Sequence, residues 1–262
     1  MNVVIAGYGV VGRAVEAALQ NRPDVNVYID DPQLGWEITE DMVGVLVPVA
    51  VVVCVATPMR DDGTCEVDNV RAVFDKYGNH QRYLVKSAVD PMFLQYCDAE
   101  NVTVSPEFLR GSTGTNPIKD FINQEFAMYG GGEMRWWHEL FKPVLPKLEK
   151  VSFTSMEQAA FAKYVENTFL ATKVTFFNQM YHIYNAMGFE DFDVMVDAIC
   201  NDPRIGHSHT QVPGPDGKLG YGGHCLPKDM SAIIESGRYC GADIEFLESV
   251  RAFNDKYRDH DA

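Results

Sequence analysis

Asn2-Val3-Val4-Ile5-Ala6-Gly7-Tyr8-Gly9-Val10-Val11-Gly12 decides the fold. Its first five residues have the apolar, β-branched character of a short buried strand. They run into three glycines spaced G-x-G-x-x-G, and residues 13–20 follow with a helical pattern. Alone, that spacing is weak evidence. Between a strand and a helix it describes a tight turn whose backbone can approach a pyrophosphate at a helix N-terminus. A second strand over 25–29 ends in Asp30, eighteen residues past Gly12, where an acid would hold ribose hydroxyls. No arginine follows it, which points to NAD over NADP. The plainer reading, that Asp30 and Asp31 only open a turn before Pro32, stands beside this one. The cofactor set is Gly7, Tyr8, Gly9, Val10, Val11, Gly12 and Asp30.

Outward from this unit, the apolar run 45–55, interrupted by Pro48, contains a strand that ends at Ala56-Thr57-Pro58. Short strands over 84–86, 102–104, 128–131 and 151–153 follow, with helical material between. The expected fold is α/β: an N-terminal Rossmann-type doubly wound parallel sheet over 1–154, then an all-α domain over 155–262. Ligands gather beyond the carboxyl ends of parallel strands, which adds Thr57, Pro58 and Ser87 to the cofactor edge. In the second half, Ser155 with Gln158 forms a capping box, and no Gly or Pro interrupts 156–187. Aromatic residues surround this long helix on several sides, so it is expected to serve a homodimer interface as well as a core. Lys163 and Asn167, four apart, share one of its faces; taken alone, they read as readily as a solvated surface pair.

A formal charge of -15 excludes a nucleic-acid surface and disfavours anionic membranes. The six cysteines, at 54, 65, 97, 200, 225 and 240, show no disulfide or Cys-x-x-Cys pattern. With no signal-peptide core and no apolar run of membrane-spanning length, the expectation is a cytoplasmic protein. His207 and His209 lack a nearby third ligand, so no metal site is expected. In Gly220-Tyr221-Gly222-Gly223-His224-Cys225-Leu226-Pro227-Lys228-Asp229 the glycines allow close ligand approach, and Pro227 offers a first position for a helix over 228–235. Cys225 would then stand just ahead of a helix N-terminus, where the dipole and Lys228 favour a thiolate. A lone cysteine beside a glycine turn is more often an ordinary core residue, so the weight rests on the company it keeps.

That company is specific. Gly7-x-Gly9-x-x-Gly12, Val55-Ala56-Thr57-Pro58, Lys86-Ser87, Pro106-Glu107-Phe108-Leu109-Arg110, Lys163-x-x-x-Asn167, Asp202-x-Arg204-Ile205-Gly206 and Gly222-Gly223-x-Cys225-x-Pro227-Lys228-Asp229 occur in one order along the chain. In that order they resemble the UDP-glucose/GDP-mannose dehydrogenase family. The resemblance implies a four-electron oxidation of a nucleotide-sugar primary alcohol, with UDP-glucose the leading substrate and NAD the acceptor. It implies that Cys225 forms a thiohemiacetal and a thioester, that Lys163 and Asn167 stabilise oxyanions, and that Asp229 handles water, with Glu107 a further catalytic acid. Glu107, Phe108, Leu109, Arg110, Lys163, Asn167, Arg204, Tyr221 and Gly222 would line the substrate, and Lys228 would reach the cofactor.

The chain departs from this pattern at Ala88, where the family usually carries threonine, and at Gly111, where it often carries glutamate. It also ends one helix after the Cys225 motif, without the family's C-terminal nucleotide-binding domain. Two alternatives follow. A two-electron β-hydroxyacid-type dehydrogenase shares the Rossmann domain and the Lys-x-x-x-Asn pair but not the cysteine motif. A catalytically weakened NAD-binding partner protein is the other.

Overall fold

The computed structural model describes residues 1–46, 49–97, 100–108 and 116–259. By contact the chain forms two compact units: Met1–Pro58 with Cys65–Lys163, and Met59–Thr64 with Tyr164–Ala262.

In the first unit, β1 (Asn2–Ala6), β2 (Asn26–Asp30), β3 (Val49–Val53), β4 (Arg82–Val85), β5 (Val102–Val104), β6 (Phe126–Gly131) and β7 (Lys150–Thr154) make one seven-stranded sheet. Its order is β2-β1-β3-β4-β5-β6-β7. The first five strands run parallel, β6 is antiparallel to β5, and β7 runs parallel to β6. The doubly wound sheet is therefore mostly, not wholly, parallel. Val3, Val4 and Ile5 on β1 are fully buried, which is why that strand reads as an unbroken apolar run rather than an alternating one. On one face, Val3 and Ile5 pack with Ala14, Val15, Ala18 and Leu19 of α1 (Val10–Leu19) and with Trp137 and Phe141 of α6 (Met134–Phe141). Strand order reverses between β1 and β3, and this switch point lies beside the glycine turn.

The apolar stretch 45–55 divides differently from expectation. Val45 and Leu46 end a helix, α2 (Glu40–Leu46), and the strand begins only at Val49. Val47 and Pro48, between the two, lie outside the described residues. Glu40 and Asp41 in the first turn of α2 are a favourable N-terminal charge pattern. Helices α3 (Asp68–Tyr77), α4 (Pro91–Leu94) and α5 (Pro117–Ile122) connect the later strands.

The remaining helices are α7 (Met156–Ala186), α8 (Phe192–Cys200), α9 (Cys225–Tyr239) and α10 (Glu245–Asp259). The capping box forms at the start of α7: Gln158 N donates to Ser155 Oγ (3.2 Å) and Ser155 N to Gln158 Oε1 (3.3 Å). In the second unit, one apolar cluster joins Ala171, Tyr221, Met230, Ile234 and Val250, and another joins Phe177, Phe192, Val196, Cys200 and Val212. α9 begins at Cys225, two residues before Pro227, and runs past the expected end to Tyr239. Pro227 fits there because the first turn's N–H groups have no intrahelical acceptor. Among the described residues no helix is long and apolar enough to cross a membrane.

Candidate functional site

The three glycines of the turn do different work. Gly7 has φ +88°, and a Cβ there would lie 2.8 Å from the Cys54 and Val55 backbone, so the turn must cross the end of β3 with no side chain. A Cβ on Gly12 would overlap the Gly7 carbonyl, the contact that lets α1 rest on the turn. Around Gly9 nothing lies within 4 Å of the Cβ position. Gly9 is also the N-cap of α1 and supplies no side-chain cap, so the first-turn N–H groups gain no acceptor from it. An open backbone at an uncapped helix N-terminus suits a phosphate anion. Val10, next along, is exposed, and Val11 packs against the sheet core.

Asp30 is placed at the predicted strand end, yet its carboxylate is used inside the fold. It is 5% exposed and accepts hydrogen bonds from Ile38 N (3.1 Å), Lys76 Nζ (2.9 Å) and Tyr77 Oη (2.7 Å). Burial and the neighbouring carboxylate push the Tyr77 phenol well above its ordinary range, which keeps it a donor. The carboxylate of Asp30, expected at the ribose, is thus ion-paired with Lys76 and enclosed in this structure. Asp31 faces the other way. It accepts from Tyr8 N (2.8 Å) in the glycine turn and from Gln33 N (3.1 Å), and the Tyr8 and Trp36 rings stand 5.2 Å apart beside it. The plainer reading of this dipeptide holds too, since Asp31 caps the short turn Pro32–Leu34.

Thr57 and Ser87 are buried, and their hydroxyls tie strand ends together: Thr57 Oγ1 donates to Ala88 O (2.7 Å) and Ser87 Oγ to Val55 O (2.7 Å). Pro58 beside them is exposed. Beneath this edge Glu107 is buried and paired with Lys86 (3.1 Å), and it also accepts from Phe108 N (3.0 Å). Burial pushes the neighbouring Cys54 thiol up to about 12, with Lys86 pulling the other way. Lys163 Nζ lies 5.1 Å from the centroid of the Phe108 ring, a cation–π arrangement. Leu109, Arg110 and Gly111 lie outside the described residues.

In the helical unit the structure brings two predicted residues together from positions far apart in sequence. Asn167 on α7 donates from Nδ2 to Asp229 Oδ2 on α9 (2.5 Å), and Lys228 Nζ pairs with the other carboxylate oxygen (2.5 Å). Asn167 and Asp229 are 4% and 1% exposed. Cys225 is exposed, the first residue of α9, and one turn from Asp229 on the same helix face. It therefore sits within the first helical turn rather than ahead of it.

Two substrate expectations change character. The Tyr221 ring is buried in the cluster with Met230, Ile234 and Val250, a core position, and burial raises its phenol. Gly222 faces Arg258, whose guanidinium occupies the space a side chain would need. Arg204 is almost fully exposed and held by Asp202 of its own turn; that guanidinium holds the Asp202 carboxyl below its usual range. The sequence reading passed over Asn178, Asn254 and Arg258, all of which hold the 220–222 segment. A signal was present: Asn254 and Arg258 continue the four-residue spacing of buried Val250 on α10.

Residues 157–256 match the model of the UDP-glucose/GDP-mannose dehydrogenase family, central domain. The chain is 29% identical over 230 residues to a UDP-glucose 6-dehydrogenase of Pseudomonas aeruginosa, covering 80% of this chain and 49% of that protein. It is also 29% identical over 231 residues to a GDP-mannose 6-dehydrogenase of Pseudomonas syringae pv. tomato, covering 77% of this chain and 49% of that protein. The chain thus spans about half the length of these curated relatives. Among solved structures, a UDP-glucose dehydrogenase from Pyrobaculum islandicum superposes with a TM-score of 0.79 at 24% identity, covering 97% of this chain and 68% of that one. The likeness extends the shared fold across both units.

Proposed function

We propose that this chain, which carries over residues 157–256 the central domain of the UDP-glucose/GDP-mannose dehydrogenase family, is an NAD-dependent nucleotide-sugar 6-dehydrogenase. Its substrate is a nucleotide-sugar primary alcohol, UDP-glucose first, and its product the carboxylate. The observation that carries this reading is the arrangement at the start of α9: an exposed Cys225 and, one turn along the same helix, a buried Asp229 bonded to Asn167 of α7 and paired with Lys228. A structural cysteine has no need of a buried, ion-paired acid so placed.

The glycine turn fits NAD, since Gly9 opens onto an uncapped helix N-terminus; Gly7, Tyr8, Val10, Val11 and Gly12 shape that turn, and Asp31 rather than Asp30 is assigned the ribose. NAD supplies a hydride acceptor, two being reduced per sugar acid. The chain's own groups do the rest. The alcohol loses a hydride and a proton to give an aldehyde. The Cys225 sulfur adds to its carbonyl carbon, giving a thiohemiacetal; loss of a second hydride and proton gives a thioester. Water cleaves the C–S bond, releasing the acid and the thiol. Lys163 supplies fixed positive charge to the oxyanions and Asn167 a hydrogen bond. Asp229 orients or deprotonates the water, and Glu107, held by Lys86, is a further acid–base group. Phe108, Leu109, Arg110 and Arg204 are assigned to substrate, Thr57, Pro58, Ser87 and Lys228 to the cofactor side.

We also assign a homodimer through α7, because Val165, Phe169, Phe176 and Ile183 recur at helical spacing along it and are all exposed. The test of function is NADH release from NAD with UDP-glucose, UDP-N-acetyl sugars and GDP-mannose, scored with product mass. Two NADH per sugar acid, and no acid from Cys225→Ser, are expected. One NADH per substrate, or full activity in Cys225→Ser, overturns the reading.

A further inference from the structure

We propose that Asn254 and Arg258 are positioning residues for the loop that delivers Cys225, an inference that rests on reading Cys225 as the nucleophile. α10 carries Val250, Asn254 and Arg258 at four-residue spacing, hence along one stripe. Val250 joins the apolar cluster with Tyr221 and Met230 and fixes the helix's seat. One turn on, the buried Asn254 accepts from Tyr221 N at Oδ1 (2.6 Å). A further turn on, Arg258 donates from Nε to Tyr221 O (3.0 Å) and from Nη2 to Gly220 O (3.1 Å), while Nη1 pairs with Asp216 (2.7 Å). From α7, Asn178 Oδ1 accepts from Gly220 N (2.9 Å).

The N–H and C=O of both Gly220 and Tyr221 are therefore bonded to three side chains rather than to a neighbouring strand or helix. A segment outside regular structure has its path set by whatever satisfies those groups. Two of its glycines are explained the same way. A Cβ on Gly220 would lie 2.6 Å from Asn254 Oδ1, and one on Gly222 would overlap the Arg258 guanidinium. Gly223, with φ +77°, has nothing within 4 Å of its Cβ position and keeps an open face two residues before Cys225, where α9 begins. The loop is thus gripped at 220–222 and open at 223, and three residues separate Tyr221 from Cys225. Arg258 reaches two carbonyls and a carboxylate from three nitrogens held in one rigid plane, whereas an ammonium offers its donors from a single point, so lysine is a partial substitute.

The test compares Arg258→Gln, Arg258→Lys and Asn254→Ala with Arg238→Gln. Arg238 joins α9 to α10 through Glu235 and Glu248 without touching the loop. The full chain is assayed below the melting temperature of each variant, for kcat, for KM of NAD and of the nucleotide sugar, and for the iodoacetamide rate of Cys225 in a Cys240→Ser background. Misplacing a reacting group by about 1 Å costs up to about a hundredfold, so Arg258→Gln should lower kcat tenfold or more with KM for NAD unchanged. It should also slow Cys225 alkylation, and Arg258→Lys should restore part of both. Arg238→Gln should lower only the melting temperature. Wild-type kcat and alkylation in folded Arg258→Gln, or in Arg258→Lys where the glutamine variant does not fold, overturns the proposal. A wild-type chain inert to every nucleotide sugar fails the functional reading instead, and the alkylation comparison then decides this one.

Discussion

Asp30 and Asp31 adjoin in sequence, and the proposed function gives them opposite jobs that substitution separates. Asp30→Asn keeps the shape but removes the charge that Lys76 faces, and it places an NH₂ where only donors now point. Breaking a buried ion pair costs about 3–5 kcal/mol; with the Lys76 side chain 22% exposed, water recovers part of that, leaving about 2–3 kcal/mol. For a chain of this size each kcal/mol moves Tm by about 2–4 °C, so a fall of roughly 5–10 °C is expected. NAD affinity should change little at temperatures where the variant is folded. Asp31→Asn should do the reverse: its partners are backbone N–H groups that an amide oxygen can still serve, so Tm should hold. A charged hydrogen bond to a ribose hydroxyl is worth about 1.5–3 kcal/mol, so NAD binding should weaken about ten- to a hundredfold. Thermal denaturation and calorimetric NAD titration on both variants decide it. If Asp30→Asn keeps its Tm and loses NAD, or if Asp31→Asn binds NAD as the parent does, the reasoning fails.

Gly9→Ala should fold with an unchanged Tm yet bind NAD poorly, because its methyl enters open space where phosphate would approach; Gly12→Ala should lose stability through overlap with the Gly7 carbonyl. Native alkylation mapped by mass spectrometry should label the exposed Cys225 and Cys240 while sparing Cys65, Cys200 and Cys54, whose thiol burial holds at about 12. Phe169→Glu with Phe176→Glu should convert a dimer to a monomer in light scattering, both rings being more than half exposed on α7. Burial works to raise the Asp216 carboxyl, but the hydrogen bonds from Arg258 and Lys218 outweigh it and hold it below its ordinary value. Its stabilisation is therefore present above the ordinary carboxylate range of about 4 and is lost as pH falls through the depressed native value. Limited proteolysis of the 207–223 loop should accelerate there, and Asp216→Asn should remove that dependence.

The elements most legible in the sequence were those whose residues answer to one demand. β1 and β5 are legible to the residue because their runs of buried valine and isoleucine are short and bounded, and α7 is marked at its start by a capping box that forms as read. α2 was missed because Val45 and Leu46 are apolar for a helix and would be equally apolar for a strand; only the acids at its N-terminus and Pro48 distinguish the two. Asp30 shows the same limit at the candidate site. Spacing from Gly12 locates an acid at a strand end, but the residues that claim its carboxylate, Lys76 and Tyr77, arrive from a helix more than forty residues later.

The glycines carry that argument furthest. In sequence, Gly7, Gly9, Gly12, Gly220, Gly222 and Gly223 all read as permission for a ligand to come close. In the structure four of them are required by the protein's own atoms: the Gly7 turn against β3, α1 against Gly7, and two side chains of α10 against Gly220 and Gly222. Only Gly9 and Gly223 open onto space, one at the start of α1 and the other just before α9. A ligand can use only the glycine faces that the fold itself leaves open. The two that qualify each precede a helix N-terminus, one suited to a phosphate anion and the other leading to the Cys225 thiol.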